Sequence, residues 1–280
     1  MQVINLKQNF EPLGHGTLIL AKSFVFSGGE IGVQVTGTVE KEVTIVTRIQ
    51  NSNDAMELFM VTDAIHRMGG KMIHLFLPYL PYARQDRVVT LGEAHSLAVF
   101  TKLLISQGYE SVTVFDPHSE ASANLMSDED FRLITNHAFV RLVLKDKSNY
   151  LLVSPDAGAA KKIKQVAEAI GYTSKPIQAL KYRLIGGKID SIEIYENDLG
   201  GRDVYIVDDI CDGGATFIAL AIELRKRNVG RIYLVVSHGI FSKGLDVLKD
   251  GGIDHVFTTD SFKSHETNSY LTEVQLCTIL

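Results

Sequence analysis

Tyr205-Ile-Val-Asp-Asp-Ile-Cys-Asp-Gly-Gly-Ala-Thr216 decides the reading of this chain. A short apolar run passes into paired carboxylates, then a glycine-rich turn and a hydroxyl, and an amphipathic stretch, Thr216–Arg227, follows at once. Similar Val/Ile/Leu runs recur at Val43–Val46, Met72–Leu77, Val112–Phe115, Leu151–Val153 and Ile232–Val236. Between most of them lie stretches of helical period, at Asp54–Met68, Ala94–Ile105 and Ala159–Ile170, each closing near a glycine or asparagine. Such alternation predicts an α/β fold with mainly parallel sheets flanked by helices.

With 280 residues, 45% of them hydrophobic, the chain can bury one large core or two smaller ones. The polar run Lys145-Asp-Lys-Ser-Asn149 is the expected joint, giving domains 1–144 and 145–280 without a clean repeat between them. No apolar run approaches the roughly 20 residues of a membrane span, and Met1-Gln-Val-Ile-Asn-Leu-Lys7 lacks a signal-peptide layout. The expectation is a cytoplasmic protein without a membrane partner. Cys211 and Cys277 form neither a disulfide framework nor a zinc spacing. A net charge of -5 without a strongly basic segment argues against nucleic acid as a partner.

Three of the apolar runs end directly in acids: before Asp116-Pro-His118, before Ser154-Pro-Asp156, and before Asp208-Asp209. Ligands of parallel α/β sheets collect outside the carboxyl ends of strands, which suits a metal-phosphate site. Any one acid could equally cap a helix. Three together, one with a histidine and one doubled, point to function. In the quoted segment, carboxylates can accept from vicinal sugar hydroxyls, while the glycines let backbone N–H groups reach a phosphate at the positive end of a helix.

This segment resembles the loop that binds phosphoribosyl pyrophosphate (PRPP) in type I phosphoribosyltransferase folds. Phe76-Leu-Pro-Tyr-Leu-Pro-Tyr-Ala-Arg-Gln-Asp-Arg87 narrows the resemblance, being similar to the ATP-binding segment of PRPP synthetases, the ribose-phosphate pyrophosphokinases, which simple phosphoribosyltransferases lack. Asn53–Leu58, Phe26-Ser-Gly-Gly-Glu-Ile31, Asp116-Pro-His118 and Ser154-Pro-Asp-Ala-Gly158 match in the same order, from about Phe24 to Asp260. The resemblance implies two type I phosphoribosyltransferase-like domains that make PRPP and AMP from ATP and ribose 5-phosphate with Mg²⁺.

It also implies roles. Phe26 and Arg84 would sandwich adenine, with Glu30 near its exocyclic amine and Gln85 helping to place the nucleotide; a phenyl face and a guanidinium plane both stack on purines. Phe26 and Glu30 come from a neighbouring subunit in the family, so a homo-oligomer, at least a dimer, is expected. His118 and Asp156 would be the ligands of the Mg²⁺ on ATP. Lys181 and Arg183, in the position of the family's catalytic loop, would be catalytic: two apart on an extended segment, they face one side and can grip one polyphosphate, with Gly186-Gly187 as the hairpin turn. Asp208 and Asp209 would hold the ribose hydroxyls, and Asp212, Gly213, Gly214, Ala215 and Thr216 the 5-phosphate. No strong candidate for a general base emerges.

There are departures. Gly28 replaces an aspartate that usually contacts adenine, while Gly213 and Ala215 replace a threonine and a glycine of the phosphate loop, so that Gly213 lacks a hydroxyl donor. After Arg87 the chain reads Val-Val-Thr-Leu-Gly-Glu93 in place of a basic stretch. Two alternatives stand beside the synthetase: a phosphoribosyltransferase consuming PRPP, against which Arg84–Arg87 and Lys181 argue, and a non-catalytic regulatory homologue, against which the intact acids and cations argue.

Overall fold

The apolar runs form the strands of two largely parallel sheets. The computed structural model describes residues 2–14, 16–119, 131–183 and 189–280, without the side chains of Arg183, Ile189 and Asp190. It divides into two compact units, Met1–Thr135 with Ser261–Lys263 and Leu280, and Asn136–Asp260 with Ser264–Ile279.

The first unit holds β1 (Gln2–Asn5), β2 (Thr17–Val25), β3 (Ile31–Thr36), β4 (Glu42–Val46), β5 (Met72–Phe76), β6 (Ser111–Phe115) and β7 (Phe131–Ile134) in one seven-stranded sheet, ordered β3-β2-β1-β4-β5-β6-β7. Only the β2–β3 hairpin pair is antiparallel. Helix α1 (Ser52–Arg67) starts at a capping box, in which the Asn51 side chain accepts from the Asp54 N–H at 3.1 Å and Asp54 accepts from the Asn51 N–H. Leu58, Val61, Thr62 and Ile65 then recur on its buried face. Leu58, Val61 and Ile65 pack with Leu97, Phe100 and Leu104 of α2 (Ser96–Ile105) in the core that also takes Ile45, Ile73 and Val114 from the strands. Each such aliphatic side chain contributes about 1.5–3 kcal/mol by leaving water.

The second unit holds a six-stranded parallel sheet, ordered β15-β14-β13-β12-β8-β9, made of β8 (Tyr150–Ser154), β9 (Ile177–Gln178), β12 (Asp203–Cys211), β13 (Ile232–Gly239), β14 (His255–Thr259) and β15 (Leu271–Val274). A separate hairpin joins β10 (Leu180–Arg183) to β11 (Ile189–Glu193). Helices α3 (His137–Leu144), α4 (Ala160–Ile170), α5 (Ala215–Arg225) and α6 (Asp246–Asp250) complete it. Helix α3 belongs here, with Arg141 donating to the Ala169 carbonyl of α4 at 2.7 Å. The polar run Lys145–Asn149 is therefore the link from α3 to β8 within this unit, and the unit begins at Asn136.

One strand is longer than its apolar run suggests. Pairing of β12 with β13 continues through Asp208 with Val236, Ile210 with His238 and Cys211 with Gly239, so the paired acids lie inside the strand and not beyond its end.

Candidate functional site

In the first unit, Phe26 and Glu30 stand at the tip of the β2–β3 hairpin, closed by Phe26 N–H to the Glu30 carbonyl and Gly29 N–H to the Phe26 carbonyl, both 2.8 Å. Phe26 is 56% exposed; its ring meets Phe24 edge-on at 5.0 Å, and the two rings cover Gly32. A core role for Phe26 is thereby excluded. Gly28 has a partner of its own: the Glu30 carboxylate lies 2.5 Å from where a Cβ at Gly28 would stand. Glu30 thus occupies the space that a side chain at position 28 would enter.

Arg84 and Gln85 follow the turn at Tyr82, whose φ of 62 is held by the Gln85 N–H to Tyr82 carbonyl bond of 2.8 Å. Both side chains are exposed. Beside them Asp86 accepts from Arg87 Nε at 2.9 Å. That bond holds the Asp86 carboxyl below the usual carboxylate range, against the effect of burial, with help from the Ser119 hydroxyl and the charge of His118. His118 therefore faces an ionised aspartate within its own unit.

In the second unit, Asp156 lies in the loop between β8 and α4. Its Oδ1 accepts from the Ala159 N–H at 3.1 Å, and its Oδ2 pairs with Lys181 Nζ from β10. Burial alone would raise this acid, but the Lys181 ammonium and the N–H groups of Ala159 and Gly158 bring it below its ordinary value. Lys181 and Asp156, read from the sequence as separate parts, are thus brought together. The β10–β11 ladder pairs Lys181 with Ile192, Tyr182 with Ser191 and Arg183 with Ile189, leaving Asp190 as the extra residue of a bulge. The Arg183 side chain and the turn at Gly186-Gly187 lie outside the described residues.

Asp208 and Asp209 form a tight pair on β12, with the Asp209 N–H donating to Asp208 Oδ1 at 2.9 Å. Burial, then the charge of Asp209 and a side-chain hydrogen bond to it, push Asp208 well above the ordinary range, opposed by the charge of Lys162 from α4. Lys162, whose Nζ is buried, is a cation of this site that its sequence context did not reveal. Burial and the neighbouring Asp208 and Asp212 also raise the Cys211 thiol. After the acids, Gly214 adopts φ 76 as the N-cap of α5, and a Cβ there would run into Leu248 of α6. Both facts demand glycine. No side chain caps α5, which leaves the N–H groups of its first turn for a ligand.

A family model described as the N-terminal domain of ribose phosphate pyrophosphokinase matches residues 14–108, and one described as a phosphoribosyl synthetase-associated domain matches residues 190–277. The ribose-phosphate pyrophosphokinase of Mycoplasmopsis pulmonis is 31% identical over 250 residues, covering 86% of this chain and 76% of the relative. The chain belongs to the ribose-phosphate pyrophosphokinase family. A second pyrophosphokinase, from Pyrococcus abyssi, is 30% identical over 236 residues, covering 82% of this chain and 80% of that one. In fold the chain is similar to the phosphoribosylpyrophosphate synthetase from Mycobacterium smegmatis, with a TM-score of 0.84 at 20% identity over 99% of this chain and 95% of the other. Among the described residues, no helix is long and apolar enough to cross a membrane.

Proposed function

We propose that this pyrophosphokinase makes PRPP and AMP from ATP and D-ribose 5-phosphate by in-line transfer of the diphosphate. The observation that carries the reading is the second unit's turn from β12 to α5: a carboxyl pair followed by a helix start that no side chain caps. A phosphoribosyltransferase would share this turn, and Lys181 on its hairpin beside Asp156 favours the synthetase.

In this reading the 5-phosphate sits on the backbone of Asp212 to Thr216 and the Thr216 hydroxyl, and the ribose hydroxyls donate to Asp208 and Asp209. Arg84 and Phe26 stack on adenine, while Glu30 and Gln85 orient it. The anomeric oxygen attacks the β-phosphorus, the bond to the α-phosphate oxygen breaks, and AMP departs. The hydroxyl proton is lost to solvent. Lys181 and Arg183 neutralise charge developing on the transferred group.

The donor set fits a hard cation. Asp156 offers a carboxylate whose outer oxygen already meets the ammonium of Lys181, a stand-in for positive charge. Among the described residues no three His, Cys, Asp or Glu side chains form a cage. That suits Mg²⁺, which is commonly held by one or two carboxylates together with substrate phosphates. His118 and Asp156 are its proposed protein ligands. Bound with ATP, the ion would supply neutralisation of the phosphate oxygens.

Exposed Phe26 and Glu30 on a hairpin tip support a nucleotide site completed by a second copy, hence an oligomer of at least two chains. A cytoplasmic location accompanies the reading. Incubation with ATP, ribose 5-phosphate and Mg²⁺ should yield AMP and PRPP in equal amounts. Formation of ADP, or of no AMP, would refute it.

A further inference from the structure

Residues 208–216 contain three aspartates and no lysine or arginine, yet in the reading above this segment holds a phosphate of nearly two negative charges. Backbone N–H groups at the start of α5 supply part of the answer. A cation close to the loop would supply the rest, and the described fold puts one there.

Lys243 lies in the turn Phe241–Gly244 that follows β13, closed by the Gly244 N–H to the Phe241 carbonyl at 3.0 Å. Its aliphatic arm runs beside Gly213. A Cβ built on Gly213 would stand 3.5 Å from Lys243 Cε, 3.6 Å from Cδ and 3.9 Å from Cγ. The arm takes this course because its turn is anchored to the end of β12. The N–H groups of Ile240 and Phe241 both donate to the Cys211 carbonyl, at 2.9 and 3.1 Å. Phe241 itself is held at φ 47, a strained value for a bulky residue. Its ring is kept there by burial against Gly239, where any Cβ would collide with it, and by the edge of His265 at 5.1 Å. Lys243 is nevertheless exposed, with no ion pair or hydrogen bond among the described residues. Strained backbone thus holds an unpaired cation beside a loop whose own side chains are acidic.

We infer that Lys243 is a phosphate-binding residue of the ribose 5-phosphate site, supplying by its ammonium the donor that Gly213 lacks. The inference rests on the site reading under the proposed function and adds a residue to it.

The test is calorimetry of ribose 5-phosphate and of ATP, each titrated into the parent, Lys243→Met and Lys243→Met with Gly213→Thr. Methionine retains the arm and removes the charge. Ribose 5-phosphate should bind Lys243→Met about tenfold more weakly, the lower end for a hydrogen bond to a charged group, while ATP binds as before. The Cβ that threonine adds would meet the neighbouring arm at ordinary contact distance, no nearer than 3.5 Å, so the double variant should regain most of the affinity through its hydroxyl. Unchanged affinity in Lys243→Met, equal weakening of both ligands, or no recovery in the double variant would overturn the inference. A parent that binds no ribose 5-phosphate would instead overturn the site reading beneath it.

Discussion

Replacing Lys181 by alanine separates two roles that the structure joins in one ammonium. In the unliganded enzyme the group neutralises Asp156, with the two side chains 13% and 29% exposed. In the proposed reaction it must leave that carboxylate for the diphosphate in flight. Loss of one preorganised stabilising group should lower kcat by about 10²–10³, roughly 2.7–4 kcal/mol of transition-state stabilisation. Binding of a divalent cation should move the other way. Asp156 keeps its hydrogen bond from Ala159 and no longer has an ammonium competing for it. A pair this shielded exceeds the weakest surface ion pairs, yet much of its attraction only offsets desolvation, so a gain of about 1 kcal/mol, roughly fivefold, is expected. Rapid-quench measurement of AMP release gives the first quantity, and paramagnetic resonance of Mn²⁺ in the absence of ATP gives the second. An unchanged kcat, or metal affinity falling together with kcat, would refute the argument. The variant should also lose acid sensitivity. Asp156 lies below its unfolded value, so it contributes stability above that value which is lost as pH falls through the folded one. Without Lys181 that contribution shrinks, and the melting temperature should depend less on pH in the acid range.

Asp208→Asn and Asp209→Asn should each weaken ribose 5-phosphate binding about tenfold or more with little change in melting temperature or ATP binding; calorimetry that found both variants like the parent would remove the pair from the ribose site. In the parent, ribose 5-phosphate affinity should rise with pH through the elevated Asp208 titration, since ionised carboxylates accept best. Lys162→Met should shift that rise to higher pH by removing the opposing positive charge, and an unmoved profile would show that Lys162 does not act on Asp208. An inactive Phe26→Ala, Glu30→Ala chain mixed with an inactive Arg84→Ala, Gln85→Ala chain should recover part of the activity, because each hybrid interface can restore one nucleotide pocket. A fully active monomer in sedimentation, or exchange of subunits without recovery, would count against a shared site.

Much of the architecture could be read from local pattern. Val43–Val46, Met72–Leu77 and Ile232–Val236 are strands because a buried parallel strand must be apolar on both faces. The helices at Asp54 and Ala159 follow equally from spacing and stop signals. Other elements carried no such signal. Strand β2 shows Leu18, Leu20 and Val25 to solvent, so neither alternation nor a buried run marks it, and β1 and β7 are too short to stand out. Hydropathy changes at Asp208 and marks an end for β12 there, although the hydrogen bonds to β13 continue.

The site divides in the same way. Residue types and their order along the chain determined which groups could hold a ribose phosphate, a nucleotide and a metal, since that chemistry depends on side chains within a few residues of one turn. Which distant groups meet was decided only by the tertiary structure. Lys181 reaches Asp156 across 25 residues, Lys162 of α4 opposes Asp208 of β12, and Lys243 reaches Gly213 from the turn after β13. Sheet order and the anchoring of loops to strand ends set those encounters, and neither is written in the local period of hydrophobic residues.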